Sequence, residues 1–66
     1  MAVESSSVAS VGFDGALAVL ELEFRNGSVY RYFAVPAAVY EGLMDAASKG
    51  VYVNRFVRGV YPFARV

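Results

Sequence analysis

The stretch VLELEFRNGSVYRYF, residues 19–33, decides the fold. Leu20, Leu22 and Phe24 alternate with Glu21 and Glu23, the period-two pattern of a strand with one face buried. Asn26-Gly27 is a turn signal, and Ser28–Phe33 supplies a second strand, so the reading rests on the register between them. A two-residue Asn-Gly loop would pair Arg25 with Ser28 and drive Arg31 onto the apolar row opposite Leu22. Burying that charge without a partner costs on the order of several kcal/mol. A three-residue loop, Arg25-Asn26-Gly27, closed by a left-handed glycine, pairs Phe24 with Ser28, Leu22 with Tyr30 and Leu20 with Tyr32 instead. Arg31 then faces Glu21 across the outer surface, and every large apolar side chain of the row meets an apolar or small neighbour. The second register is preferred, which places Tyr30 and Tyr32 in the core with their hydroxyls at its rim.

Working outward, the row extends upstream to Ala18, so this strand is expected over residues 16–24. Before it, SVASVGF alternates Val11 and Phe13 with Ser10 and Gly12, and Asp14-Gly15 reads as a tight turn after a short first strand. Met1–Ser7 is small and polar and is expected to be a frayed lead-in. Downstream, Pro36 fits the first position of a helix, and Val39, Tyr40, Leu43, Met44 and Ala47 recur at helical spacing opposite Glu41 and Asp45. That helix is expected from Pro36 to about Ala47. Residues 48–58 read as strand or helix. The strand pattern puts charge on both faces, whereas the helix gathers Tyr52, Val53, Phe56 and Val57 against Asn54, Arg55 and Arg58, with Ser48 as N-cap. A second short helix is favoured, although the β-branched content argues the other way. VYPFARV after Gly59 is extended, and Pro62 bars it from the middle of a sheet. The expected architecture is α+β: a three-stranded antiparallel β-meander, one or two α-helices packed on one face, and an extended C-terminal tail, all in one domain over residues 1–66.

Composition removes most chemistry. A chain of 66 residues lies near the lower limit for a self-sufficient core, and with neither Cys nor His it lacks disulfides and the usual zinc ligands. It also lacks the usual thiol nucleophile and imidazole base, so no enzyme, cofactor or metal site is expected. Glu21 and Glu23 share a solvated strand face in the preferred register and form no acid–base pair. No glycine-rich run precedes a Lys-Ser/Thr pair. No apolar run is long enough to span a bilayer and MAVESSS has no export pattern, which leads to an expectation of no membrane partner and a cytoplasmic location.

Charge is balanced overall but uneven along the chain. Residues 1–45 hold all six acids with Arg25 and Arg31, while residues 46–66 hold Lys49, Arg55, Arg58 and Arg65 and no acid. This basic third interleaves with aromatics, so Lys49, Tyr52, Asn54, Arg55, Arg58, Tyr61 and Arg65, together with Phe63, form the candidate partner surface. Such a set suits phosphate neutralisation with base stacking. It suits a protein interface equally, because Tyr, Phe and Arg are enriched there too. Sequence density of apolar residues, 58% with five Phe and five Tyr, also favours self-association into a homodimer.

Taken together, LELEF, NGSVYRYFAVP and ASKGVYVNRFVRGVYPF, in that order and spacing, resemble the KTSC domain family, a small domain found at the C-terminus of some lysyl-tRNA synthetases and as stand-alone bacterial proteins. The resemblance makes Tyr30-x-Tyr32 and Pro36 a structural signature. Phe13 and Phe63 stand where tyrosine is expected to be common. It implies no activity, and its attachment to a synthetase implies proximity to RNA. The expected function is a non-catalytic binding module, for RNA or another nucleic acid, or alternatively for a protein partner or a second copy of itself.

Overall fold

The computed structural model describes every residue from Met1 to Val66. The elements run β1 (Val8–Asp14), β2 (Val19–Phe24), β3 (Val29–Tyr32), α1 (Ala37–Asp45), α2 (Lys49–Phe56) and β4 (Phe63–Arg65), and the sheet order is β1-β2-β3-β4. All neighbouring strands are antiparallel. The central hairpin has the register that keeps Arg31 out of the core: Leu20 opposite Tyr32, Glu21 opposite Arg31 and Leu22 opposite Tyr30. Phe24 N–H donates to the Ser28 carbonyl at 2.8 Å, Gly27 N–H donates back to the Phe24 carbonyl at 2.9 Å, and Gly27 takes φ 90°. On the outer face Arg31 Nε meets Glu21 Oε1 at 3.0 Å.

The tail is the main departure from the sequence reading. Instead of leaving a three-stranded meander with a free extension, Phe63–Arg65 closes on β3 as a fourth strand, pairing Tyr32 with Phe63 and Tyr30 with Arg65. Phe33 N–H donates to the Pro62 carbonyl and Val66 N–H to the Val29 carbonyl. Pro62 thus stands immediately before an edge strand, where its missing N–H costs least.

Boundaries shift for local reasons. β2 starts at Val19 rather than at residue 16, because Asp14 Oδ1 accepts from the N–H groups of Ala16 and Leu17 and holds residues 15–18 in a longer loop. Ala18 and Ala34 both have positive φ, 56° and 57°, and the Val35 N–H reaches the Ala18 carbonyl at 2.9 Å. These two turns seat Val35 fully inside. Pro36 is the N-cap of α1, not its first residue, and the helix ends at Asp45, which leaves Ala47 outside it and exposed. Residues 49–56 are helical, and Ser48 caps them by accepting the Val51 N–H at 3.3 Å. The lead-in is not loose here: Val3 N–H donates to the Ala9 carbonyl, Ala2 bridges Ser10, and Arg25 donates to the Val3 and Ser5 carbonyls.

Val8, Val11, Leu20, Leu22, Tyr32, Val35, Leu43, Val53 and Val57 form one buried cluster between sheet and helices. Val8 and Val11 are three residues apart yet both inward, because the strand bulges between Val8 and Ser10 and an extra residue is absorbed there. Phe13 stacks on Tyr40 of α1 at 4.8 Å. The helices cover β1 to β3 but leave β4 bare, since all three of its residues are exposed. No helix is long and apolar enough to cross a membrane.

Candidate nucleic-acid interface

Between α2 and the β2–β3 hairpin lies an open groove of about 350 Å³. Its walls come from distant parts of the sequence: Arg25 and Asn26 from the hairpin loop, Ser28 and Tyr30 from β3, and Asn54 with Arg58 from α2 and its exit. No carboxylate lines it. The acids are engaged elsewhere or stand apart: Glu21 with Arg31 and Glu23 with the Ser10 hydroxyl on the opposite sheet face, Asp14 in its own loop.

Each arginine here is placed by a contact that leaves donors over. Arg25 sends Nε to the Ser5 carbonyl at 3.1 Å. Arg58 sends Nη1 to Asn54 Oδ1 at 3.2 Å, a bond one helical turn long at the C-terminal end of α2, where the helix dipole favours cations. Gly59, at φ 76°, then turns the chain back toward β4. Arg65 sends Nη2 to Ser28 Oγ at 3.1 Å and lies 5.8 Å from the centre of the Tyr30 ring, within cation–π range. A guanidinium has five donors, so bonds remain for an anion after each of these.

Beside the groove stands an aromatic step. Phe63 lies parallel to Tyr30 at 5.5 Å and 5°, Phe24 meets Tyr30 edge-on at 5.6 Å, and Tyr32 closes the base of the group at 5.7 Å from Phe63. The division of labour is sharp: Tyr32 is 1% exposed, Phe63 58%. Burial raises the Tyr32 hydroxyl above its ordinary pKa of 10.0, Arg58 opposes the rise, and Tyr30 adds to it.

The basic aromatic third is therefore split. Asn54 and Arg58 meet on the groove wall, and Arg65 reaches Ser28 and Tyr30 of that wall from β4, with Phe63 stacked on Tyr30. Lys49 does not join them, because its Nζ caps the end of α1 through the Met44 and Ala46 carbonyls at 2.9 and 2.8 Å. Tyr52 is likewise spent, donating its hydroxyl to the Val39 carbonyl at 3.0 Å and packing on Phe56. Arg55 is exposed on α2 and absent from the groove wall, and Tyr61 is half-buried against the core. Sequence reading missed Arg25, Ser28 and Tyr30 as groove residues. The signal was present in the alternation of Phe63 and Arg65: once the tail is paired as a strand, Arg65 must fall beside Tyr30.

The KTSC domain profile matches residues 4–61. A lysine–tRNA ligase of Nostoc punctiforme is 38% identical over 63 residues, which are 96% of this chain but 11% of that enzyme. An uncharacterized protein of Stutzerimonas stutzeri is 44% identical over 55 residues, covering 83% of this chain and 78% of that one. The crystal structure of a KTSC domain protein from Yersinia pestis superposes with a TM-score of 0.95 at 31% identity, over 100% of this chain and 93% of the other. The chain spans about a tenth of the ligases it matches, so it corresponds to one module of theirs. The family match over residues 4–61 and a superposition that covers the whole chain agree, and the chain belongs to the KTSC domain family.

Proposed function

We propose that this domain is a non-catalytic, cytoplasmic RNA-binding module whose contact surface is the groove between α2 and the β2–β3 hairpin. The observation that carries the reading is the convergence of Arg25, Arg58 and Arg65 around Tyr30, with no carboxylate on the groove wall. Arginine neutralises phosphate and releases counterions, and exposed aromatic rings take unpaired bases. Similarity to part of a tRNA ligase supports RNA over other polyanions. Balanced net charge fits a small contact of few phosphates rather than a broad basic face.

Fluorescence anisotropy with a short single-stranded RNA tests it. Binding should weaken with salt at a logarithmic slope of about −2, as expected for roughly three phosphates on a single strand. The double variant Arg58→Glu/Arg65→Glu should abolish it, and unchanged affinity in that variant would refute the proposal.

A further inference from the structure

The groove and the aromatic step beside it differ in chemistry, and their arrangement carries an inference that rests on the RNA-binding reading and sharpens it. Tyr30 belongs to both: it lines the groove together with Arg25 and Arg58, and it supports Phe63 in a parallel stack at 5.5 Å. An anion held in the groove and a flat ring laid on the open face of Phe63 would lie on either side of the Tyr30–Phe63 stack. Phe63 is 58% exposed although it stacks on Tyr30, so much of its ring surface is open, and it sits on the edge strand with no further strand beside it.

We infer that the site takes an unpaired strand, one phosphate between Arg25 and Arg58 and a base of the same strand extending the Tyr30–Phe63 stack. A base pair inside an A-form duplex has both faces covered by its neighbours and cannot reach Phe63, while its phosphates could still meet the arginines. The domain therefore discriminates single-stranded RNA from duplex, and the discrimination resides in Phe63. Arg58 and Arg25 supply affinity for either form, because phosphate contacts carry no information about pairing. Bonding of Arg65 to Ser28 and its position over Tyr30 keep a cation against this stack and hold the ring that supports Phe63.

The test compares oligouridylate with a long RNA duplex, whose internal pairs far outnumber its two exposed end pairs, at one salt concentration, for the parent chain and for Phe63→Ala, Phe63→Leu and Phe63→Trp. Oligouridylate should bind the parent at least about tenfold more tightly than duplex. Both Phe63→Ala and Phe63→Leu should weaken the single-strand complex by about five- to a hundredfold, the span that base–aromatic stacking covers, while leaving duplex binding unchanged. Phe63→Trp should retain the preference. Leucine keeps apolar contact with Tyr30, so a loss shared by Phe63→Leu and reversed by Phe63→Trp reports the ring itself, and circular dichroism confirms that each variant is folded. Equal affinity for both RNAs, insensitive to Phe63 but lost in Arg58→Glu, would overturn the unpaired-nucleotide site and leave RNA binding standing. Absence of binding to either RNA at low salt would overturn both.

Discussion

At the scale of single residues, the two tyrosines of the YRY triplet have the same side of the strand and different fates. Tyr32 is buried in the core with Leu43, Val53 and Val57, whereas Tyr30 is half-buried and borders the open groove between α2 and the hairpin. Arg31 between them needs little explanation beyond the register: its pair with Glu21 is roughly half exposed, at 52% and 42%, and such pairs contribute about 0–1 kcal/mol. The register is held by what it buries. Tyr32 also gives the domain an alkaline limit. Its phenol ionises above the ordinary value when folded, chiefly because burial disfavours the charged form. The folded state therefore binds this proton more tightly than the unfolded chain does, and the resulting stability is intact below about pH 10 and lost as pH rises through the unfolded value toward the folded one. Urea unfolding across that range should show stability falling with pH in the parent and falling less steeply in Tyr32→Phe. Equal slopes would assign the alkaline loss to another group.

At the scale of elements, the helix pair holds a feature that propensity alone would forbid. Gly42 sits inside α1, where alanine is favoured by about 1 kcal/mol. A Cβ there would overlap the Tyr52 hydroxyl and stand 3.0 Å from its Cζ, so glycine is what lets the α2 tyrosine cross α1 closely enough to reach the Val39 carbonyl. Gly42→Ala should destabilise the fold by about 1–3 kcal/mol despite the gain in helix propensity, since the clash and the broken hydrogen bond outweigh it. The penalty should shrink in a Tyr52→Phe background, and thermal melts of the double-mutant cycle measure that coupling. Elements differ in how far their own residues announce them. The β2–β3 hairpin was legible because its alternation, its Asn-Gly signal and the cost of burying Arg31 all select one register. Helix α2 was legible through its cap and its grouping of Val53 and Val57. Strand β4 was not, because three exposed residues beginning after a proline have no buried face to impose a period. The bulge in β1 was hidden for the opposite reason: an added residue breaks the alternation that reveals a strand.

At the scale of the whole molecule, the groove has arginines and no carboxylate on its wall, whereas the strand carboxylates share the far face of the sheet with Arg31. Glu21 and Glu23 lie on the uncovered face, and the arginine-lined groove lies on the helix side. This makes a test that net charge cannot mimic. Arg55→Glu and Arg58→Glu change the charge of the domain equally, yet only Arg58 lines the groove. RNA affinity should fall at least about tenfold more in Arg58→Glu than in Arg55→Glu at the same salt, a difference of about 1.4 kcal/mol. Equal losses would point to diffuse attraction by the basic third instead. The amino-acid sequence by itself determined the α+β class, the central register, the Ser48 cap of α2 and the absence of Cys and His chemistry, because each follows from neighbours a few residues apart or from composition. It also located the basic aromatic third. Which members of that third could act together was decided only by the tertiary structure. Lys49 and Tyr52 are consumed in joining the two helices, while Arg25 enters from 33 positions upstream of Arg58 through the hairpin loop. Closing β4 onto β3 is the step that sets Phe63 and Arg65 against Tyr30, and that contact depends on the whole path of the chain through both helices.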